Sequence, residues 1–240
     1  MKRKIFLMSL ALALFFPSLF ILQACGEKPK VIHVNSAAGF ERALERVKDG
    51  GTIILKDDIV LNKQISITKK ITLDLNENTI SNSKNIWKDS ESSKKDKFGL
   101  LCVRSGGNLT ITGNGTIDTL ENDCYAIWLD AENAILTIID GTITGNVSAI
   151  YARQGNVEIL GGTFDIKKLS QHDDSRYLLD CLDENYLSQT ANFVVKGGTY
   201  KNFNPAGNLS EGANTSYVAE GYSVSALTSA EGTSYTVNAN

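Results

Sequence analysis

The sequence predicts an all-β chain built as a parallel β-solenoid. A short phrase returns through residues 98–203: Gly115-Thr116-Ile117, Gly141-Thr142-Ile143, Gly162-Thr163-Phe164 and Gly198-Thr199-Tyr200, with an earlier echo at Asn78-Thr79-Ile80. Its threonines lie 37, 26, 21 and 36 residues apart. The shortest interval sets the unit, and the longer ones carry insertions. Self-similarity of this length marks stacked repeats, because one unit cannot bury its own apolar side and its neighbours must do so. Apolar residues also alternate in three strands per unit. One strand carries Leu109 and Ile111, then Leu136 and Ile138, Val157 and Ile159, Phe193 and Val195. The next carries Ile117, Ile143, Phe164 and Tyr200. The third carries Leu101 and Val103, Ile127 and Leu129, Ile150 and Ala152. Equivalent strands in adjacent units sit ~4.8 Å apart, so these side chains form inward columns.

The chain opens differently. Lys2-Arg3-Lys4 is followed by a nearly unbroken apolar run over residues 5–22, then by Leu22-Gln23-Ala24-Cys25. This is a signal-peptide pattern, open to three readings: an ordinary secretory signal, a retained membrane anchor or a lipoprotein signal. The cysteine directly after a small residue, with leucine three positions before it, resembles the lipobox of bacterial lipoproteins. That resemblance implies cleavage after residue 24 and lipidation of Cys25. Several acyl chains then anchor the protein stably in the cell envelope. Losing Lys2, Arg3 and Lys4 takes the formal charge from −3 to −6. An acidic mature chain speaks against nucleic acid as partner. Cys102, Cys124 and Cys181 have strand-like neighbours and are expected as buried, unbridged thiols. No pair has metal-site spacing.

Residues 25–30 read as a tether before the strand Val31-Ile32-His33-Val34. Ser36 is a plausible N-cap, and Phe40, Ala43, Leu44 and Val47 fall on one helical face that Gly50-Gly51 ends. Such a helix can cover the open end of a stack of strands. Short alternating strands follow at Thr52-Ile53-Ile54-Leu55, Ile65-Ser66-Ile67 and Ile71-Thr72-Leu73-Asp74-Leu75. Phe40-x-x-Ala43-Leu44, then Asp49-Gly50-Gly51-Thr52-Ile53-Ile54-Leu55, then Ile71-Thr72-Leu73-Asp74-Leu75-Asn76 resembles the opening of right-handed parallel β-helix proteins of the pectin-lyase-like superfamily. The resemblance covers residues 31–203. It implies a single-stranded right-handed β-helix with an N-terminal capping helix, and it leaves function open. Residues 204–240 form the far cap. Tyr217 to Val224 and Tyr235-Thr236-Val237 are expected to pair as a β-hairpin. The run from Gly198 to Tyr222 resembles the terminal module of β-helix regions in bacterial surface proteins and some phage structural proteins, which implies a display or attachment setting.

Insertions at 83–97, 120–124 and 167–176 all follow the Gly-Thr-apolar strand and precede the third strand, so they leave from one corner. The first is lysine-rich, with Trp87. It is either a plain solvated loop or one wall of a cleft. Alternation on the third strand sends Cys102 and Arg104, Trp128 and Asp130, Tyr151 and Arg153 outward, and Asp180 continues the series. Trp128 beside Tyr151 offers aromatic faces to sugar rings, flanked by Arg104, Asp130 and Arg153 as hydrogen-bonding groups. The competing reading is that the three charges simply pair with one another. A one-residue slip would bury the aromatics.

The expectation is therefore a lipid-anchored protein that binds an extended polymer, most simply a polysaccharide, at Arg104, Trp128, Asp130, Tyr151 and Arg153. A polysaccharide lyase or glycoside hydrolase at the same face is the first alternative. Asp130, Arg153 and Asp180 are its catalytic candidates, with calcium required only by the lyase. A passive structural or protein-contact module is the second. His172-Asp173-Asp174 forms a further acidic group. No metal ligand set, phosphate loop or Ser/His/Asp arrangement is legible.

Overall fold

A computed structural model describes residues 28–83, 99–120, 124–167 and 177–240. In chain order its first elements are β1 (Val31–Val34), α1 (Ala37–Arg46), β2 (Gly51–Leu55), β3 (Ile59–Leu61), β4 (Ile65–Ile67), β5 (Lys70–Asp74) and β6 (Thr79–Asn82). The middle holds β7 (Gly99–Val103), β8 (Asn108–Thr112), β9 (Thr116–Asp118), β10 (Tyr125–Ile138), β11 (Thr142–Gly145), β12 (Ile150–Ile159) and β13 (Thr163–Ile166). The last part adds β14 (Leu179–Cys181), α2 (Asp183–Leu187), β15 (Ala191–Val195), β16 (Thr199–Lys201), β17 (Tyr222–Ser229) and β18 (Gly232–Ala239). The chain is mostly β, and its strands up to β16 pair in parallel.

Three ladders emerge, visited in the same order by each repeat. The first runs β1-β2-β5-β8, then through the second halves of β10 and β12 to β15. The second runs β3-β6-β9-β11-β13-β16. The third runs β4-β7, then through the first halves of β10 and β12 to β14. The threonines of the repeated phrase stand in register: Thr79, Thr116, Thr142, Thr163 and Thr199 occupy one column of the second ladder.

Alternation explains the core. On the first ladder Ile53, Leu73, Ile111, Ile138, Ile159 and Val195 stack inward with no exposure. On the second, Ile59, Ile80, Ile117, Ile143, Phe164 and Tyr200 do the same. Each such side chain contributes about 1.5–3 kcal/mol by leaving water. The Phe164 and Tyr200 rings stack at 5.0 Å, and the Tyr200 hydroxyl donates to the Gly197 carbonyl at 2.8 Å. The glycine of the phrase has its own reason. Gly141 and Gly162 sit at φ 105° and 94°, where a side chain is strained. A Cβ on Gly162 would also lie 2.8 Å from the Gly141 carbonyl oxygen.

Helix α1 begins as expected, with the Ser36 Oγ accepting from the Gly39 N–H at 3.2 Å. Phe40, Ala43 and Val47 are buried and Leu44 lies against the same core. Ser36→Ala should cost about 1 kcal/mol, read as a lowered urea midpoint. One expectation needs correction at the other end. The hairpin is β17 with β18, turning at Ala230-Glu231, and β18 continues the second ladder antiparallel to β16. Tyr217 is not in it. Tyr217 and Val218 instead lie beside β15, through a bridge from Val218 to Val195, and the Tyr217 ring is buried. The strand Ile59–Leu61 and the helix α2 were not anticipated.

Candidate functional site

The third ladder carries the residues singled out in the sequence. Its outward column reads Ser66, Cys102, Trp128, Tyr151, Asp180, each paired with the next across neighbouring strands. The register is the expected one, since Leu101, Val103, Ile127, Leu129, Ile150 and Ala152 are all fully buried in the continuous core. The expected exposure of Trp128 is nevertheless overturned. Trp128 is 3% exposed and Cys102 is fully buried, so at these positions the ladder is covered on both faces, as parallel strands often are. The Arg104 guanidinium lies over the indole, 5.7 Å from its centroid, which adds a cation–π contact. The indole Nε1–H has no hydrogen-bond partner among the described residues. At 3% exposure Trp128 offers little ring face to a sugar.

Arg104, Asp130 and Arg153 do come together. Asp130 Oδ2 accepts from Arg104 Nη1 at 2.6 Å and Oδ1 from Arg153 Nη1 at 2.7 Å. The Asp130 side chain is only 7% exposed, against 28% for Arg104 and 51% for Arg153. Arg104 Nη2 also donates to Gln64 Oε1 at 3.1 Å, and Gln64 Nε2 donates to the Gly99 carbonyl at 3.0 Å. The mutual-pairing reading of these charges is the geometry found. It arises from an irregular corner: Leu129 pairs with Ala152, Asp130 with Gln154, and Ile135 with Asn156. Arg153 is thus an extra residue on its strand, and residues 131–134 bow outward on the neighbouring one. Beside that bow lies an open depression of about 570 Å³ lined by Ser105, Asp130, Ala131, Glu132, Asn133 and Gln154.

Tyr151 is half-buried and stacks on Tyr125 at 4.6 Å, with the rings 16° from parallel. Burial, and next Tyr125, push its hydroxyl well above the usual tyrosine range. Asp180 follows it in the column. Burial, then the charges of Glu211 and Asp183, raise the Asp180 carboxyl to about 8. Burial likewise raises the Cys181 thiol, which argues against a reactive thiolate there. Cys102, Cys124 and Cys181 are all buried and not disulfide-bonded.

A buried polar chain behind Asp180 escaped the sequence reading. Glu211 Oε1 accepts from the Cys181 N–H and from the Tyr217 hydroxyl, each at 2.7 Å. That hydroxyl is 2.6 Å from Ser210 Oγ, which is 2.6 Å from Asn208 Oδ1. Asn208 is fixed in orientation, because its Nδ2 donates to the Thr215 carbonyl and its Oδ1 accepts from the Ser210 N–H, both at 3.0 Å. The other Glu211 oxygen, Oε2, is buried without a partner among the described residues, and burial pushes the carboxyl's pKa up. The only sequence signal was a polar run, Asn208 to Thr215, that looks like any loop.

Asp130 has both oxygens engaged by arginines. Asp180 lies two strands over and two residues back, roughly 12 Å away between Cα positions by strand spacing and rise. Among the described residues no group of three His, Cys, Asp or Glu is placed to hold a metal ion, and no helix is long and apolar enough to cross a membrane. Cys25, Trp87 and His172-Asp173-Asp174 lie outside the described residues, as do most of the three insertions. The connections that carry those insertions all run from the second ladder to the third. No protein family, curated protein or solved structure matches the chain.

Proposed function

We propose that the chain is a lipid-anchored right-handed parallel β-helix of about six coils in the bacterial cell envelope, and that it binds an extended polysaccharide along its third ladder. Three parallel ladders visited in fixed order, with the repeated threonines in register, support the β-helix reading. The order of Ala24 and Cys25 after an apolar run supports the anchor. The observation that carries the binding reading is the open depression at the outward bow of β10. Apart from Ala131 its lining residues carry hydrogen-bonding side chains. The half-exposed Arg153 lies directly before Gln154 in the chain, and the Tyr125–Tyr151 stack lies further along the same strands. Glu132, Asn133 and Gln154 can exchange hydrogen bonds with hydroxyls, and Arg153 with a uronate. The binding site is therefore Tyr151, Arg153, Gln154 and the bow, with Trp128 left out.

Affinity electrophoresis through gels containing neutral and acidic polysaccharides tests this. Gln154→Ala and Arg153→Ala should each weaken retardation on one class of gel about fivefold, at unchanged circular dichroism. Equal retardation of wild type and both variants on every gel would remove this face from the proposal.

A further inference from the structure

The formal charge is distributed unevenly along the chain. Residues 28–70 hold nine Lys or Arg against five Asp or Glu, a balance of +4, whereas residues 71–240 hold twelve against twenty-one, a balance of −9. The structure gathers the basic excess at one place. Lys28, Lys30 and Lys48 line an open depression of about 510 Å³ together with Pro29, Asp49 and Gly50. Lys28 and Lys69 meet at the C-terminus of α1: their Nζ atoms donate to the Glu45 carbonyl at 3.5 and 3.3 Å, and Lys69 also reaches the Val47 carbonyl at 3.1 Å. The Gly50 N–H donates to the Lys70 carbonyl at 2.7 Å, which puts Lys70 beside them. Burial, and next Lys28, lower the pKa of Lys69, as expected where ammonium groups crowd. Five lysines thus surround the end of one helix, offset there by Glu45 and Asp49.

Position gives this patch a partner. Resting on the anchored reading above, Cys25 sits at the lipid surface, and three residues of chain span at most about 11 Å. Lys28 is then held within roughly one Debye length of the headgroups, where surface charge is still felt. We infer that the lysine-rich end around Lys28, Lys30, Lys48, Lys69 and Lys70 docks on anionic phospholipid headgroups. The acidic remainder of the chain is repelled by the same surface. Attraction at one end and repulsion along the rest hold the strand ladders away from the membrane, so that the third ladder faces a polymer rather than lipid.

The test uses the mature polypeptide from residue 25 with Cys25→Ser, which lacks acyl chains and retains every strand and helix described above. Its partition is measured on vesicles of phosphatidylcholine alone and of equal parts phosphatidylcholine and phosphatidylglycerol. Each well-placed lysine is worth roughly fivefold. Partition onto the anionic vesicles should exceed that onto neutral ones at least about tenfold and should fall with added salt. Lys30→Gln/Lys48→Gln/Lys70→Gln should bring it to the neutral level, while the three Lys→Arg changes should preserve it. Lys28 and Lys69 are left in place because they cap α1. Equal partition onto both vesicles, an unaffected glutamine variant, or binding to soluble dextran sulfate but to neither vesicle would overturn the inference. The mass of the N-terminal peptide of membrane-extracted protein reports separately on Cys25. Unmodified cysteine there defeats the anchor and leaves the vesicle result to stand on its own.

Discussion

Asp130→Ala should destabilise the protein by about 3 kcal/mol, read as a lower urea midpoint at unchanged slope. The carboxylate sits between two guanidinium groups, and at 7% exposure it is shielded from water. Removing it leaves Arg104 with its Gln64 contact and a second cation across the gap. Breaking a buried pair typically costs about 3–5 kcal/mol, and the half-exposure of Arg153 argues for the lower end. Arg153→Ala should cost less than about 1 kcal/mol, because it leaves the Arg104–Asp130 pair intact and removes a largely solvated partner. The contrast between the two substitutions is the informative quantity. Equal losses would mean that the clamp does not depend on its central anion.

The ordering of those losses bears on binding. An arginine that contributes little to stability can be spared for a ligand, whereas Asp130 is committed to holding the corner. This separates two residues that looked equivalent in the sequence, where both alternate outward on the third strand. What distinguishes them is the bulge at Arg153, and a one-residue insertion between Ala152 and Gln154 leaves no mark in an alternating pattern.

The ladders themselves were legible because alternation and the Gly-Thr-apolar phrase act locally. Thr116, Thr142, Thr163 and Thr199 fall into one column, and the inward residues of all three strands are the ones the pattern names. Trp128 marks the limit of that logic. Period-two alternation says which face a side chain takes, and it took the outward one. It does not say whether that face meets water, which depends on what lies over it. The Glu211–Tyr217–Ser210–Asn208 chain was illegible for another reason. Its members come from one polar loop, and their value arises from closing against Cys181, thirty residues earlier in the chain than Glu211. Tyr217 was drawn into the expected hairpin because Tyr-Val-Ala followed by Tyr-Ser-Val reads as one alternating strand. The Ala219-Glu220-Gly221 break places only the second half in β17.

Stability should fall as pH rises from about 5 to about 8, and Asp180→Asn should remove most of that slope. The folded carboxyl of Asp180 titrates at about 8 and an unfolded one near 3.8. Between these values the folded state binds the extra proton, so unfolding becomes easier as pH rises and that proton is lost. The groups facing Asp180 are Glu211 from the loop before Tyr217 and Asp183 at the start of α2, and their charges act in the same direction as burial. Glu211 acts in the same direction, because burial raises its carboxyl as well. The gap between the folded and unfolded values sets a ceiling of roughly 6 kcal/mol, and relaxation around an ionised Asp180 will reduce it. Asparagine keeps the shape of aspartic acid without the ionisation, so the variant should match wild type only below about pH 4 and exceed its melting temperature by several degrees at pH 8. A wild-type melting temperature that rises over this range would contradict the raised carboxyl of Asp180. A slope that persists undiminished in Asp180→Asn would assign the effect to Glu211 alone.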